Sequence, residues 1–303
     1  YDEQSELAKR VAQAYRSVLP DAQFINFDHI NPDEILTTFD TLSPKDLVVL
    51  IQSESFRLSQ FRIRIELFNR KLKVIEHPHL GRMKPEEYQT YFDSLAYDPD
   101  YYRTMGPKLK ERIARAKGIK LIHGKSELVY EGPFEDVKLN IGDYRQMKNT
   151  GGQFPIGEIF TEPKDVTRVN GEVSLFAFGD TDFSVNIPEK PFTARIEGGL
   201  ITGCPDAPLT FHAVLDEIRQ QEGKVWVREL GFGLNRAFSR ERTVTDIGTY
   251  ERMCGIHLSL GTKHLQYKKP GFPKRQGFHV DVFVDTERVE IDGAAVYREG
   301  KYQ

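Results

Sequence analysis

Cysteine is scarce: the chain has 2, Cys204 and Cys254, and they sit in neither a CxxC spacing nor a disulfide-dense pattern. A disulfide framework is therefore not expected, and a reducing cytoplasm is the default compartment. Long apolar runs are missing as well. No stretch approaches the ~20 residues needed to cross a bilayer, and no signal-peptide pattern opens the chain, so no membrane partner is expected. The first residue is Tyr1 rather than Met, which leaves a targeting segment ahead of it open. Neither sign of charge dominates, with 42 Lys and Arg against 45 Asp and Glu and a formal net charge of -3. Without a basic tract or an aromatic-interleaved basic patch, no nucleic-acid partner is expected. Glycine patterning of the GxGxxG or P-loop kind is also absent after every predicted strand, so the sequence makes no claim on a nucleotide.

What is present is a soluble-type composition long enough for two domains. Leu7, Ala8, Val11, Ala12, Tyr15 and Val18 recur at helical spacing, which predicts an opening helix over 3–19 that ends at Pro20. A strand is expected over 22–27, a helix over 32–40 with Asn31 as its cap, strands over 46–51 and 72–76, and a helix over 58–71 between them. Alternating strands and helices with short links describe a Rossmann-like parallel sheet with helices on its faces. Residues 83–118 read as two helices broken near Asp98 and Pro99. Beyond Gly118 the texture changes to short strands punctuated by turn formers such as Asn170-Gly171 and Gly151-Gly152, with one clear helix over 205–221. The expected fold class is α/β: a Rossmann-like domain over 1–118 and a mixed α+β metal-binding domain over 119–303.

The second half concentrates the chemistry. In GIHLSLG, Ile256, Leu258 and Leu260 alternate with His257 and Ser259, and in FHVDV, Phe278, Val280 and Val282 alternate with His279 and Asp281. Period two marks strands with one apolar and one polar face, and it places His279 and Asp281 on the same side. Imidazole and carboxylate ligands on rigid strands suit a first-row divalent metal. Glu158, in FPIGEIFTEP, and Glu229, beside Trp226, Val227 and Leu230, are acids in apolar settings. A buried carboxylate must be paired, protonated or metal-bound, and Arg228 and Arg236 are the obvious partners for a purely structural Glu229. His77 and His79, in EHPHLGRM, are a further histidine pair whose simplest reading is a solvated turn at a strand end.

The segments GEIFTEP, RELGFGLN, GIHLSLG and FHVDVFVD, followed by IDG and VYREGKY, resemble in order and approximate spacing the C-terminal domain of the aminopeptidase T and aminopeptidase S family of dinuclear metallo-aminopeptidases. The resemblance covers roughly half the chain. By motif it implies Glu158, Glu229, His257, His279 and Asp281 as ligands of two divalent ions per chain (Zn, Co, Mn or Fe), a peptide substrate, and a homodimer. It implies that His264 or Glu158 handles protons. One position departs from the family: His264 stands seven residues beyond the strand histidine, where the family has a tyrosine, and Tyr267 is near enough to take that place by a local shift. An imidazole moves protons near neutral pH, whereas a phenol of pKa ~10 does not. Ring-cleaving dioxygenases of the 2,5-dihydroxypyridine type use the same fold with a single Fe(II), which leaves open a mononuclear alternative, and the His264 exchange leaves open a non-hydrolytic relative with a repurposed metal site.

Overall fold

The computed structural model describes residues 1–58, 61–272 and 277–303. Its backbone falls into two compact units, one of residues 1–97 and 142–156, the other of residues 98–141 and 157–303. The first begins with α1 (Glu6–Val18), whose Ser5 cap accepts a hydrogen bond from the Ala8 N–H, and α2 (Pro32–Asp40), capped by Asn31 with Pro32 in its first turn. There follow β1 (Leu47–Ile51), a ribbon of β2 (Arg57–Leu58) and β3 (Phe61–Arg62), α3 (Ile63–Asn69), β4 (Lys73–His77) and α4 (Tyr88–Ser94). The helix expected from residue 58 starts instead at Ile63, and residues 59 and 60 of that expectation lie outside the described residues.

The second unit starts with α5 (Pro99–Arg115), β5 (Gly118–His123), β6 (Ser126–Glu131) and β7 (Lys138–Asn140). Gly118, expected as a boundary, is the first residue of β5, inside this unit. The chain re-enters the first unit through β8 (Gly151–Gln153), which lies parallel to β4 as β4 does to β1, giving a three-stranded sheet in the order β1-β4-β8. Two of the strands expected in the first half are thus found, but no strand covers residues 22–27. There the ring of Phe27 stacks on Phe56 with centroids 4.2 Å apart, and the Phe27 N–H donates to the carbonyl of Tyr1. Apolar residues of that stretch serve side-chain packing rather than a ladder. Gly151-Gly152, read as a turn, is instead a point of close approach: a Cβ on Gly151 would overlap the backbone of Val74.

The remaining elements are β9 (Glu158–Thr161), β10 (Val169–Gly179), β11 (Val185–Asn186), β12 (Phe192–Glu197), β13 (Leu200–Gly203), α6 (Leu209–Glu222), β14 (Val227–Gly233), α7 (Ile247–Tyr250), β15 (Gly255–Leu260), β16 (Val280–Val284), β17 (Arg288–Ile291), β18 (Ala294–Arg298) and β19 (Lys301–Tyr302). With β5 to β7 they form a curled antiparallel sheet of 14 strands, in which β16, β15, β14 and β9 are consecutive neighbours. The protein is therefore a mixed α/β molecule with a small parallel sheet and a large antiparallel one. Every residue of β14, β15 and β16 is buried, so polar groups on these strands must find partners within the protein. No helix among the described residues is long and apolar enough to cross a membrane.

Candidate metal centre

Register assembles the site. Gly231 pairs with His257, Gly233 with Glu158, and Ser259 with Asp281. Paired residues of an antiparallel sheet share a face, and so do residues two apart on one strand. Glu158, Glu229, His257 and Asp281 therefore project from one side of four adjacent strands. Leu230, Phe232, Ile256, Leu258, Val280 and Val282 take the other side. Glycine at 231 is required on the polar face, because a Cβ there would overlap His257 Nε2. The small residue gives the imidazole room to lie across β14 and reach the glutamates.

The five residues expected as ligands form two overlapping groups. In one, ligand atoms of Glu158, Glu229 and His257 lie within 4.8 Å of one another, and in the other those of Glu229, His279 and Asp281 do. Glu229 belongs to both. His257 Nε2 is 3.4 Å from Glu229 Oε1 and 3.6 Å from Glu158 Oε1, and His279 Nε2 is 3.3 Å from Asp281 Oδ1. His279 itself precedes β16, and its Nδ1 donates to the carbonyl of Lys263 at 3.1 Å, which turns Nε2 towards Asp281.

His264, not Tyr267, faces this cluster. Its Nε2 lies 2.7 Å from Glu229 Oε2 with only 3 % of the side chain exposed, and its Nδ1 accepts from the Gln266 N–H at 3.2 Å. The neutral ring thus keeps its proton on Nε2. The Tyr267 hydroxyl is engaged elsewhere, donating to the carbonyls of Asp136 at 2.7 Å and Phe160 at 3.1 Å. The phenol oxygen is thus turned to backbone carbonyls rather than to the carboxylates of the cluster.

The arginines expected to neutralise Glu229 do something else. Arg228 makes a two-pronged pair with Glu162, both bonds 2.9 Å and both residues fully buried, and Arg236 pairs with Asp98 at 2.6 Å. Among the described residues no arginine or lysine pairs with Glu229 or Asp281. The histidines carry the balancing charge instead. Burial alone would push His257 down, but the Glu158 and Glu229 carboxylates, with the charge of Asp281, raise it to about 10. Burial likewise opposes the protonated form of His279, and Asp281 and Glu229 overcome it, to about 9. Glu229, which burial would raise, is instead held well below the usual carboxylate range by His257, His264 and His279.

Do these residues suit a metal? One buried atom bears on this: Asp281 Oδ1 makes no hydrogen bond, although His279 Nε2 lies 3.3 Å away. Buried acceptors without a hydrogen bond are rare in native proteins, and this one belongs to a cluster of carboxylates and imidazoles. A cation would account for the crowding of acids and for the unmet acceptor Asp281 Oδ1, whereas His264 Nε2–H already faces the Glu229 carboxylate. The mixed oxygen and nitrogen set fits a first-row divalent ion such as Zn, Co, Mn or Fe.

One residue of the neighbourhood was not signalled by the sequence. Arg252, buried to 4 % exposure, places Nη2 3.6 Å from Glu158 Oε2. A lone arginine after a short helix carries no motif, and only the loop that follows α7 brings it here. His77 and His79 belong to the first unit and to neither ligand group. His77 is not solvated as expected; it is buried, with Nε2 2.9 Å from the Tyr15 hydroxyl and Nδ1 2.8 Å from that of Tyr91, and burial lowers it to about 3. It is a neutral, hydrogen-bonded core histidine. His79 approaches Ser55 Oγ at 3.3 Å.

No family model and no curated protein matches the chain. Among solved structures, a 2,5-dihydroxypyridine dioxygenase from Pseudomonas putida KT2440 is similar with a TM-score of 0.58 and 15 % identity, over 89 % of this chain and 75 % of that one. Wild-type AmpT from Thermus thermophilus is similar with a TM-score of 0.55 and 13 % identity, over 97 % of this chain and 85 % of that one. At such identities the likeness is one of fold, and this chain shares its fold with both.

Proposed function

We propose that the chain is a divalent-metal-dependent hydrolase that removes N-terminal residues from peptides, with Glu229 bridging two ions. The observation that carries this reading is the membership of Glu229 in both ligand groups. A carboxylate has two oxygens, and one placed between two donor sets is suited to hold two cations at once. Three carboxylates crowd the site. Two divalent ions held by these residues would offset that charge and leave a net positive centre suited to an electron-rich carbonyl. The likeness in fold to AmpT and the resemblance of the motifs to the aminopeptidase T and S family point the same way.

Ions bound here would lower the pKa of water towards ~7 and polarise a peptide carbonyl. The chain's own residues do the rest. Glu158 and His257 would hold one ion, His279 and Asp281 the other, with Glu229 available to both. The Lys263 carbonyl orients His279 and the Gly231 gap orients His257. His264 would act through its Nε2–H, fixed as the proton-bearing nitrogen by Gln266, donating a hydrogen bond to the reacting group, while the proton needed by the leaving amine would come from the attacking water by way of Glu158. This assigns to an imidazole the place where the family has a phenol.

The test is metal counting joined to turnover. Chelator-stripped protein reloaded with Zn, Co or Mn is expected to bind two ions per chain and to release an amino acid from aminoacyl-anilides. Two bound ions with no release from any such substrate would refute the hydrolase. Saturation at one Fe(II) per chain, with oxygen-dependent consumption of a dihydroxypyridine, would favour the chemistry of the other fold neighbour.

A further inference from the structure

The two ligand groups are not electrostatically equal. The guanidinium of Arg252 lies beside Glu158, with Nη2 3.6 Å from Oε2. Its Nη1 is engaged by the Gly248 carbonyl and by the carboxylate of Glu251, while its Nε is buried and makes no hydrogen bond. The Glu158–Glu229–His257 group therefore has a fixed, buried cation at its edge. The Glu229–His279–Asp281 group has none: among the described residues neither of its carboxylates pairs with an arginine or lysine. It also contains Asp281 Oδ1, a buried acceptor that makes no hydrogen bond.

We infer, on the reading that the site takes two ions, that it fills in order: the first ion enters the Glu229–His279–Asp281 position and the second, weaker one the Glu158–Glu229–His257 position, with Arg252 setting the gap between them. The physical reason is direct. Like charges repel in inverse proportion to distance and effective dielectric, and a buried site is poorly screened. An arginine one carboxylate away from an incoming dication opposes it, and a guanidinium cannot relieve the repulsion by losing its proton. Glu251 offsets part of that charge, so it belongs to the same device. Partial occupation is the functional consequence. At limiting metal the protein holds one ion, and the second position responds to metal supply.

Calorimetric titration of the chelator-stripped full chain with Mn(II) tests the order. The parent is expected to show two steps, the second at least ~10-fold weaker than the first. Arg252→Met should strengthen the second step by roughly tenfold and leave the first within about threefold, while Arg252→Lys, which keeps the charge, should preserve the gap. Should Arg252→Met fail to fold by circular dichroism, Glu251→Gln reads the same effect with opposite sign. By stripping the arginine of its counter-charge it should weaken the second step several-fold. A parent that takes one ion where Arg252→Met takes two is the limiting case of support. Two ions with a gap that neither Arg252→Met nor Glu251→Gln changes, or a second step weakened by Arg252→Met, would overturn the inference and leave the proposed hydrolase standing. A chain that takes no ion, or one ion whatever stands at 252, would overturn both.

Discussion

Gly231 carries more of the site than its size suggests, because its missing side chain is where the His257 ring lies. Gly231→Ala forces the imidazole off its place or the strands apart. The expected outcome is a loss of stability of about 1–3 kcal/mol, read by denaturant unfolding, together with a loss of metal binding far beyond what one methyl group costs elsewhere in the core. Glu229→Gln keeps the shape and removes the charge. Because both groups draw on that carboxylate, it should weaken both steps of a metal titration, whereas His257→Ala should weaken one and Asp281→Asn the other. At this scale the sequence is informative where a residue's own strand announces its face. Alternation around His257, Ser259, His279 and Asp281 marks the polar side of β15 and β16 from the order of residues alone. Which acid an arginine chooses is not written there. Arg228 adjoins Glu229 in the chain yet pairs with Glu162, and Arg252, which does approach a ligand, sits in a turn without pattern.

Among the elements, the segment 262–269 that follows β15 is held by charge hidden inside the protein. Arg228 donates to the carbonyls of Thr262 and Tyr267, on either side of His264, while gripping Glu162. Lys269 adds bonds to the carbonyls of Pro163 at 3.0 Å and Lys164 at 2.9 Å. Breaking a buried pair from one side strands the other charge. Arg228→Met should therefore destabilise the protein by about 3–5 kcal/mol in chemical unfolding, and Glu162→Gln introduced with it should recover part of the loss. The same contacts hold His264 against Glu229, so the single variant should lose turnover even at temperatures where it remains folded. Elements whose ends are marked by local chemistry were legible: α2 begins at Pro32 behind its Asn31 cap and ends at Asp40, as the caps predict. β8 was not, because a Gly-Gly pair reads as a turn until a neighbouring backbone is seen to need the space. Residues 22–27 failed for the opposite reason, their apolar pattern being spent on rings rather than on a ladder.

For the molecule as a whole, the raised values of His257 and His279 tie metal binding to protons. Without metal, both imidazoles are cations near neutrality, and loading must expel those protons. Apparent affinity should therefore climb as pH rises from about 6 towards about 9, with proton release measurable in buffers of different ionisation enthalpy. The sign for stability runs the other way. A histidine whose folded value exceeds its unfolded ~6.5 contributes fully below that pH, and its contribution is lost as pH rises through about 9 for His279 and about 10 for His257. The stripped protein should accordingly lose stability on moving from pH 6.5 to 10, and metal at a hundredfold excess over its Kd should return about 2.7 kcal/mol per site. The mixed α/β character could be inferred from strand and helix rhythm, but the Rossmann-like layout expected of the first half reduces to a three-stranded parallel sheet, and the return of residues 142–156 to the first unit could not be inferred, since nothing local distinguishes a segment that doubles back. The donors themselves are scattered from residue 158 to residue 281, on strands that become neighbours only when the sheet closes. A nascent polypeptide still lacking β16 has no complete pair of positions to offer. On the two-ion reading, the position inferred to fill first would be the last to form, because only that group waits for His279 and Asp281 to join the sheet beside β15.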